Sequence, residues 1–175
     1  RVTLAVLDAL SEVHRERIVH RDINPNNIFI CQDGKVKLYD FGAARLETTD
    51  MTTILTPCYA PPEQYITNGK QGSYTDLYSV GATMYFALTG VKPQESTDRV
   101  QKDQLTPPHE IDAEIPVDMS NAVMRAMAVK EEIRFQNAEQ FKKALTEGKV
   151  LDVKREIARR RRVRLIQIAS MFLVL

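Results

Sequence analysis

A long segment without a polar face most constrains how this chain can fold. Residues Tyr74 to Thr89 are predicted to form a helix that ends at Gly90. Apolar side chains lie nearly all round it, namely Leu77, Val80, Ala82, Met84, Tyr85, Phe86 and Leu88. Such a helix has no side suited to water, so other elements must surround it. Since 175 residues can bury one substantial core, we expect a single domain built around this helix.

Other elements are predicted on both sides of the central helix. Residues Val2 to Arg15 place apolar side chains on one face at a 3.6-residue period, which predicts an amphipathic helix. Two short apolar runs, 28–30 and 36–38, flank Asp33-Gly34, the strongest hairpin signal in the chain. Further helices are predicted at about 120–129 and 137–147, Ile18-Val19 as a turn, and long loops at 43–58 and 91–117. The predicted class is mainly α (α+β), with one small β-hairpin on a helical body.

The net charge of +1 conceals an uneven distribution of charge. Eight of the 24 basic side chains lie in residues 149–164, where only Asp152 and Glu156 are acidic. The remainder is mildly acidic, which argues against a nucleic-acid-binding body. Residues 165–175 carry no charge and follow this basic run, which predicts the start of a membrane span behind a cytoplasmic flank. The alternative is an amphipathic soluble helix with a basic face.

Three oxygen-bearing side chains near the hairpin indicate a chemistry. Asp22 lies in an irregular loop, Asn27 ends that loop, and Asp40 follows the second strand. Because a hairpin brings the two ends of segment 28–38 together, Asn27 and Asp40 are expected to lie close enough to share a metal ion. Carboxylate and amide oxygens suit Mg²⁺, and a nearby carboxylate can orient an attacking hydroxyl. Phosphoryl transfer requires this combination of groups.

The order of several motifs resembles one protein family. His20-Arg21-Asp22, then Asn27, then Asp40-Phe41-Gly42 look like the catalytic loop and metal motif of eukaryotic-like serine/threonine protein kinases, especially bacterial ones. Later landmarks follow in order: Tyr59-Ala60-Pro61-Pro62-Glu63, Asp76-Leu77-Tyr78-Ser79-Val80-Gly81, Leu88-Thr89-Gly90 and Arg134-Phe135. The resemblance covers residues 4–147. It implies a kinase C-terminal lobe, ATP as phosphoryl donor, Mg²⁺ or Mn²⁺ as metal, and serine and threonine hydroxyls of proteins as acceptors.

The resemblance also implies roles in catalysis. Asp22 would be the catalytic base, and Asn27 and Asp40 would hold Mg²⁺, with Asp40 bridging the phosphates. Phe29 would lie beneath the adenine ring of ATP, with an ordinary place in the hairpin core as the alternative. Thr56 matches the threonine that helps to position the substrate hydroxyl beside the base.

Structural and regulatory roles follow from the same resemblance. His20 and Phe41 would pack together in an internal spine, Asp76 would begin the central helix, and Glu63 would form a buried ion pair with Arg134. Arg21 would bind a phosphorylated activation loop, as guanidinium groups bind phosphate. The candidate phosphosites are Thr48, Thr49, Thr52 and Thr53, with solvated loop threonines as the alternative.

Two departures from the family pattern keep other functions open. Asn24 stands where these kinases usually have a lysine that touches the transferring phosphate, so stabilisation of the transition state is expected to be weaker. Leu55-Thr56-Pro57-Cys58 replaces the frequent Gly-Thr-Pro-Gly, so the peptide preference cannot be carried over. Asn24 motivates a pseudokinase or scaffold reading. A small-molecule phosphotransferase of the aminoglycoside or choline type is a further alternative, although such enzymes generally lack the activation segment.

The domain organisation is expected to have three parts. Residues 1–147 are predicted to be the kinase C-lobe, 148–164 a basic juxtamembrane segment, and 165–175 the start of a truncated transmembrane helix. The glycine-rich loop, strand lysine and helix glutamate of the N-lobe do not occur in the sequence, so we expect them upstream of Arg1 and expect the isolated fragment to be inactive. The implied location is cytoplasmic, anchored by a single pass in the plasma membrane. The implied partners are protein substrates and a second copy for trans-autophosphorylation, with no nucleic acid.

Overall fold

The computed structural model describes residues 1–46 and 55–172, with side chains described up to residue 163. The helices in this part are α1 (Val2–Arg15), α2 (Ser73–Thr89), α3 (Ser96–Gln101), α4 (Pro108–Ile111), α5 (Val117–Ala126), α6 (Ala138–Glu147) and α7 (Val153–Phe172). The strands are β1 (Ile18–Val19), β2 (Ile28–Ile30), β3 (Val36–Leu38) and β4 (Arg45–Leu46). They form two separate two-stranded antiparallel sheets, β1 with β4 and β2 with β3. The fold is mainly helical, as the sequence predicts.

Helix α2 is the buried centre of the fold. Every residue from Thr75 to Ala82 is buried, as are Met84 and Tyr85. Helices α1, α4, α5 and α6 contact it, which explains why its sequence has no polar side. Gly90 ends the helix at φ +69°, a left-handed conformation that glycine adopts without strain.

Gly81 allows α5 to approach α2 closely. A Cβ atom at this position would lie 2.8 Å from the Cβ of Ala126 and 3.0 Å from the Cγ of Met127. We therefore expect Gly81→Ala to lower the free energy of unfolding by about 1–3 kcal/mol through overpacking, although alanine is the better helix former. Urea unfolding measures this change, with Ala87→Ser on the exposed side of α2 as the control. An unchanged or increased stability of Gly81→Ala would contradict the close contact.

The hairpin forms over the residues that the sequence predicts. Strands β2 and β3 pair Ile28 with Leu38, Phe29 with Lys37 and Ile30 with Val36. Gly34 adopts φ +78° in the turn, and its N–H donates to the carbonyl of Cys31 at 2.9 Å. Helix α1 packs against β3 and thereby supports the hairpin.

Two short strands were not predicted. Ile18–Val19 was predicted as a turn and residues 43–58 as a loop, but β1 pairs with β4 through Ile18 with Leu46 and Val19 with Arg45. A strand of two residues has no alternation to read, so only its distant partner defines it. This pairing joins the residues just before His20 to residues that follow Asp40.

Prolines begin helices in the region that was predicted as loop. Helix α3 and helix α4 both lie within residues 91–117, so the loop prediction is wrong there. Helix α4 starts at Pro108, and α5 starts directly after Pro116, a few residues earlier than predicted. Proline is favourable in the first turn of a helix because no intrahelical partner exists there for its missing N–H.

Helix α7 is continuous across the boundary predicted between a basic and an apolar segment. It runs from Val153 to Phe172 and contacts α5 and the short 3₁₀ helix Glu131–Ile133. Within residues 1–46 and 55–172, no helix combines the length and the apolar character that crossing a bilayer requires.

Candidate active site

One buried carboxylate holds the loop that contains Asp22. Asp76, in the first turn of α2, is fully buried. It accepts hydrogen bonds from the backbone N–H groups of His20 at 2.9 Å and Arg21 at 2.8 Å. The Nε2 atom of His14 on α1 lies 2.8 Å from the same carboxylate. The central helix therefore fixes the backbone immediately before Asp22.

The side chain of Arg21, the residue before Asp22 in this loop, is buried. The backbone of Arg21 adopts φ +72°. The Nε of Arg21 donates to the Oε1 of Gln71 at 2.8 Å, and the backbone carbonyl of Arg21 accepts from the side chain of Gln64 at 2.8 Å. Burial lowers the pKa of Arg21, and the positive charge of Arg45 lowers it further, against the opposing effect of Asp76. Sequence reasoning missed Arg45 and Gln71, because only the fold brings them to Arg21.

The carboxylate of Asp22 is held by three side chains. Its Oδ1 accepts hydrogen bonds from the Thr56 hydroxyl at 2.5 Å and from the Nδ2 of Asn24 at 2.9 Å. Its Oδ2 accepts one from the Nδ2 of Asn27 at 2.9 Å. All three donors are neutral, so they orient the carboxylate without a formal positive charge in contact with it. The structure thus brings together Asp22, Asn24, Asn27 and Thr56, which the sequence singled out.

Asn24 links two parts of this site. Its Nδ2 donates to Asp22 and lies 3.2 Å from the Oγ1 of Thr56, and its Oδ1 accepts from the N–H of Asn26 at 3.0 Å. The bond from the N–H of Asn26 to the side chain of Asn24 caps the short 3₁₀ helix Pro25–Asn27. Asn24 is almost completely buried, so its amide is engaged on both ends within the loop.

The hairpin register places Asn27 next to the segment that carries Asp40. The N–H of Tyr39 donates to the carbonyl of Asn27 at 2.8 Å, one step beyond the pair of Ile28 and Leu38. Asp40 follows at φ +57°, and its Oδ1 accepts from the N–H of Gly42 at 3.1 Å. Asn27 turns its amide nitrogen to Asp22, so its amide oxygen takes no part in that hydrogen bond. In the described residues, no three His, Cys, Asp or Glu side chains gather as a metal site, so this donor set is one amide and one carboxylate. Both are oxygen ligands and fit Mg²⁺ or Mn²⁺.

His20 connects the loop to the segment after Asp40. Its ring lies 4.6 Å from the ring of Phe41 between centroids, and its Nε2 lies 3.0 Å from the carbonyl oxygen of Tyr39. The N–H of Asp22 points to its Nδ1 at 3.4 Å. A carbonyl only accepts and an N–H only donates, so these two contacts fit the tautomer of His20 that carries its hydrogen on Nε2.

An apolar surface lies exposed beside the site. Phe29 is 60% exposed and meets Tyr39 edge-on at 5.9 Å between ring centroids, so it does not occupy a hairpin core. Four further apolar side chains share this exposure: Ile30, Tyr39, Phe41 and Leu46. Exposed apolar side chains near a site are typical of a surface that another element or a ligand covers.

Glu63 and Arg134 form a buried ion pair. The guanidinium of Arg134 donates to Glu63 through Nη1 at 2.7 Å and Nη2 at 3.0 Å, and Thr75 donates to the same carboxylate at 3.0 Å. Arg134 lies 4.9 Å above the ring of Tyr78. The ion pair joins the segment that follows residues 43–58 to the connection between α5 and α6. Its two hydrogen bonds make it the stronger form of such pairs.

Cys58 takes the place of a family glycine at a strained position. Its φ of +69° lies in the left-handed region, where a Cβ atom is unfavourable. Burial and the negative charge of Glu95 raise the pKa of the Cys58 thiol, which keeps it protonated at neutral pH. Both cysteines of the described chain are free.

The four candidate phosphosites Thr48, Thr49, Thr52 and Thr53 lie outside the described residues.

Comparison with known proteins identifies the class to which this arrangement belongs. The sequence matches the protein kinase domain family over residues 1–156, and the chain is a member of that family. The apo form of PpkA-294, a solved structure, is similar at a TM-score of 0.70 and 33% identity over 81% of this chain and 51% of that one.

Curated relatives of the chain include protein kinases from bacteria. The chain is 34% identical over 151 residues to a probable serine/threonine-protein kinase of Clostridium acetobutylicum, covering 78% of this chain and 22% of the relative. It is 33% identical over 140 residues to the tyrosine-protein kinase MasK of Myxococcus xanthus, covering 73% and 21%. The chain thus spans about a fifth of the length of these relatives.

Proposed function

We propose that the natural gene product containing these residues, called the parent protein below, transfers the γ-phosphoryl group of ATP to serine and threonine hydroxyls of proteins. The observation that carries the proposal is the carboxylate of Asp22, oriented by Asn24, Asn27 and Thr56 beside the segment of Asp40. The Thr56 hydroxyl donates to Asp22 at 2.5 Å, so an aliphatic alcohol fits directly against this base. A substrate hydroxyl at the same carboxylate would be oriented for attack.

Asn27 and Asp40 would hold the divalent metal, Mg²⁺ or Mn²⁺. When bound, such an ion neutralises charge on the phosphates of ATP. The adjacent exposed ring of Phe29 would cover the adenine from below. Asn27 would then serve twice, because its amide nitrogen orients Asp22 and its amide oxygen would bind the metal.

Arg21 and Arg45 would form a receptor for a phosphorylated threonine of the long loop. Burial lowers the pKa of Arg21 most, and the positive charge of Arg45 lowers it further. The second effect shows that the two positive charges lie close enough to repel each other. A dianionic phosphate close to both would be stabilised by this potential. Thr48, Thr49, Thr52 and Thr53 are the candidates, and their modification would be supplied by a second copy of the kinase.

The proposed organisation keeps three parts: a kinase C-lobe at 1–147, a basic juxtamembrane segment at 148–164, and an apolar segment at 165–175 that begins a membrane anchor. The uncharged composition of 165–175 after a basic run supports this anchor, with the kinase side in the cytoplasm. A scaffold without catalysis remains the second candidate, favoured by Asn24 in place of lysine.

Phosphotransfer from labelled ATP tests the proposal. The parent protein is incubated with Mg²⁺, labelled ATP and either a generic protein acceptor or an aminoglycoside and choline. We expect label on serine and threonine of the protein acceptor and none on the small amines. Label on tyrosine alone would contradict the acceptor class, label on the amines would identify a small-molecule phosphotransferase, and no transfer to either would favour the scaffold.

Asn24→Asp is expected to lower the phosphotransfer rate at neutral pH about 10–100-fold. The new carboxylate removes the donor to Asp22 and places a like charge beside it, which raises the pKa of the coupled pair. Since the base acts deprotonated, the acidic limb of the pH–rate profile should move to higher pH. Asn24→Ala is the control, because it removes the donor without adding charge. An unshifted limb in Asn24→Asp would show that Asn24 does not influence the base.

A further inference from the structure

Helix α7 is fixed to the kinase lobe along one side. Glu156 is 1% exposed and accepts hydrogen bonds from Arg159 at 3.0 Å and Arg160 at 2.7 Å, with Arg125 of α5 at 3.5 Å. Burial acts to raise the pKa of Glu156, but the bonds from these arginines outweigh it and lower that pKa. Arg160 also donates to the carbonyl of Glu132. The buried side of α7 therefore pairs the carboxylate of Glu156 with arginines of α7 and α5.

The opposite side of α7 is a row of cations. Lys154, Arg155, Arg161 and Arg162 are exposed, and this set is called the basic face below. The two pairs are seven residues apart, or two helical turns and about 10 Å along the axis, so they lie on one side. Arg155 lies 3.2 Å from Asp152, whereas no carboxylate of the described residues is within 4.0 Å of the other three.

We propose that the basic face binds the anionic phospholipid surface of a membrane, with the kinase lobe held on the far side of α7. The face presents its four charges on one side of the helix, which suits the planar array of phosphates on a lipid surface. Because the opposite side of the helix is bound to the lobe, binding at this face also sets the orientation of the lobe.

Charge complementarity favours a planar surface over a nucleic acid. Eight of the 24 basic side chains lie in residues 149–164 with only two of the 23 acidic ones, so the rest of the chain is net negative. A flexible or helical polyanion that reached beyond α7 would meet this negative body. A bilayer touches only the outward side, and residues 165–175, which follow in the sequence, carry no charge.

The inference is independent of phosphotransfer, since vesicle binding is measured without ATP. The 175-residue chain is sedimented with vesicles of phosphatidylcholine alone or mixed with phosphatidylglycerol, at about 0.1 M and about 0.5 M salt. Each cation contributes roughly fivefold to affinity for an anionic surface. Since the variant removes four cations, we expect the Gln variant of the basic face, K154Q/R155Q/R161Q/R162Q, to bind mixed vesicles about 600-fold more weakly at low salt.

The matched control removes four exposed lysines elsewhere, K70Q/K92Q/K102Q/K130Q, and should bind as the unaltered chain does. High salt should release the unaltered chain from mixed vesicles, whereas insertion of residues 165–175 would resist salt and occur equally on neutral vesicles. Equal affinity of both quadruple variants, equal binding to neutral vesicles, or tighter binding to duplex DNA than to mixed vesicles would each overturn the proposal.

Discussion

Asp22→Asn in the parent protein is expected to lower the turnover rate for protein phosphorylation on the order of 10³-fold. The asparagine side chain has nearly the same shape, but it cannot accept the proton of a substrate hydroxyl as a carboxylate does. It also turns one oxygen acceptor into a donor, which opposes the donors of Asn24, Asn27 or Thr56. Initial rates with saturating ATP and protein acceptor measure the effect, and the KM for ATP should change little because Asp22 is not proposed to hold the nucleotide.

The control for this variant is Asp98→Asn, the same exchange on the exposed side of α3. It should leave both the turnover rate and the KM for ATP unchanged. Circular dichroism and the urea midpoint should show that both variants remain folded. A turnover rate for Asp22→Asn within a factor of about three of the unaltered protein would remove Asp22 from the role of base.

Glu63→Gln is expected to lower the free energy of unfolding of the chain by about 3–5 kcal/mol. The exchange keeps the size of the side chain but leaves the guanidinium of Arg134, which is 0% exposed, without its counter-charge. Carbonyls of Ala128 and Val129 would remain bonded to Arg134, but these are dipoles and do not replace a full charge. Urea unfolding measures the loss, analysed as a two-state transition.

Two further variants separate this effect from a general loss of charge. Asp8→Asn breaks an ion pair with Lys142 in which both side chains are largely exposed, and it should cost less than about 1 kcal/mol. The double variant Glu63→Gln with Arg134→Met should be less destabilised than the sum of its single changes, since no unpaired charge is left. If Glu63→Gln cost no more than Asp8→Asn, the buried pair would not stabilise the fold.

The elements that the sequence predicted well are those defined by local chemistry. The hairpin follows from Asp33-Gly34, whose left-handed glycine and side-chain acceptor determine the turn. Helix α2 follows from an apolar run ending at Gly90. In both cases the information lies within a few residues, so no knowledge of distant partners is needed.

The elements that sequence reasoning missed depend on distant partners or on the position of a proline. Strands β1 and β4 exist because residues far apart in sequence pair with each other. The prolines in 91–117 were taken as breaks, whereas Pro108 begins α4. At the site, the residue types of Asp22, Asn27 and Asp40 were readable from spacing, but the link from Asn24 to Thr56 and the approach of Arg45 to Arg21 required the fold.

Under the proposed function, Asn27 and Asp40 hold one divalent ion beside Asp22. Paramagnetic broadening of backbone amide signals by Mn²⁺, in the presence of ATP, tests it most directly in the parent protein. We expect the amide signals of residues 22, 27 and 40 to broaden at the lowest Mn²⁺ concentration. Asp40→Ala should abolish this pattern of broadening, and Asp98→Asn should preserve it. Broadening centred on other acidic residues, or an unchanged pattern in Asp40→Ala, would contradict the account.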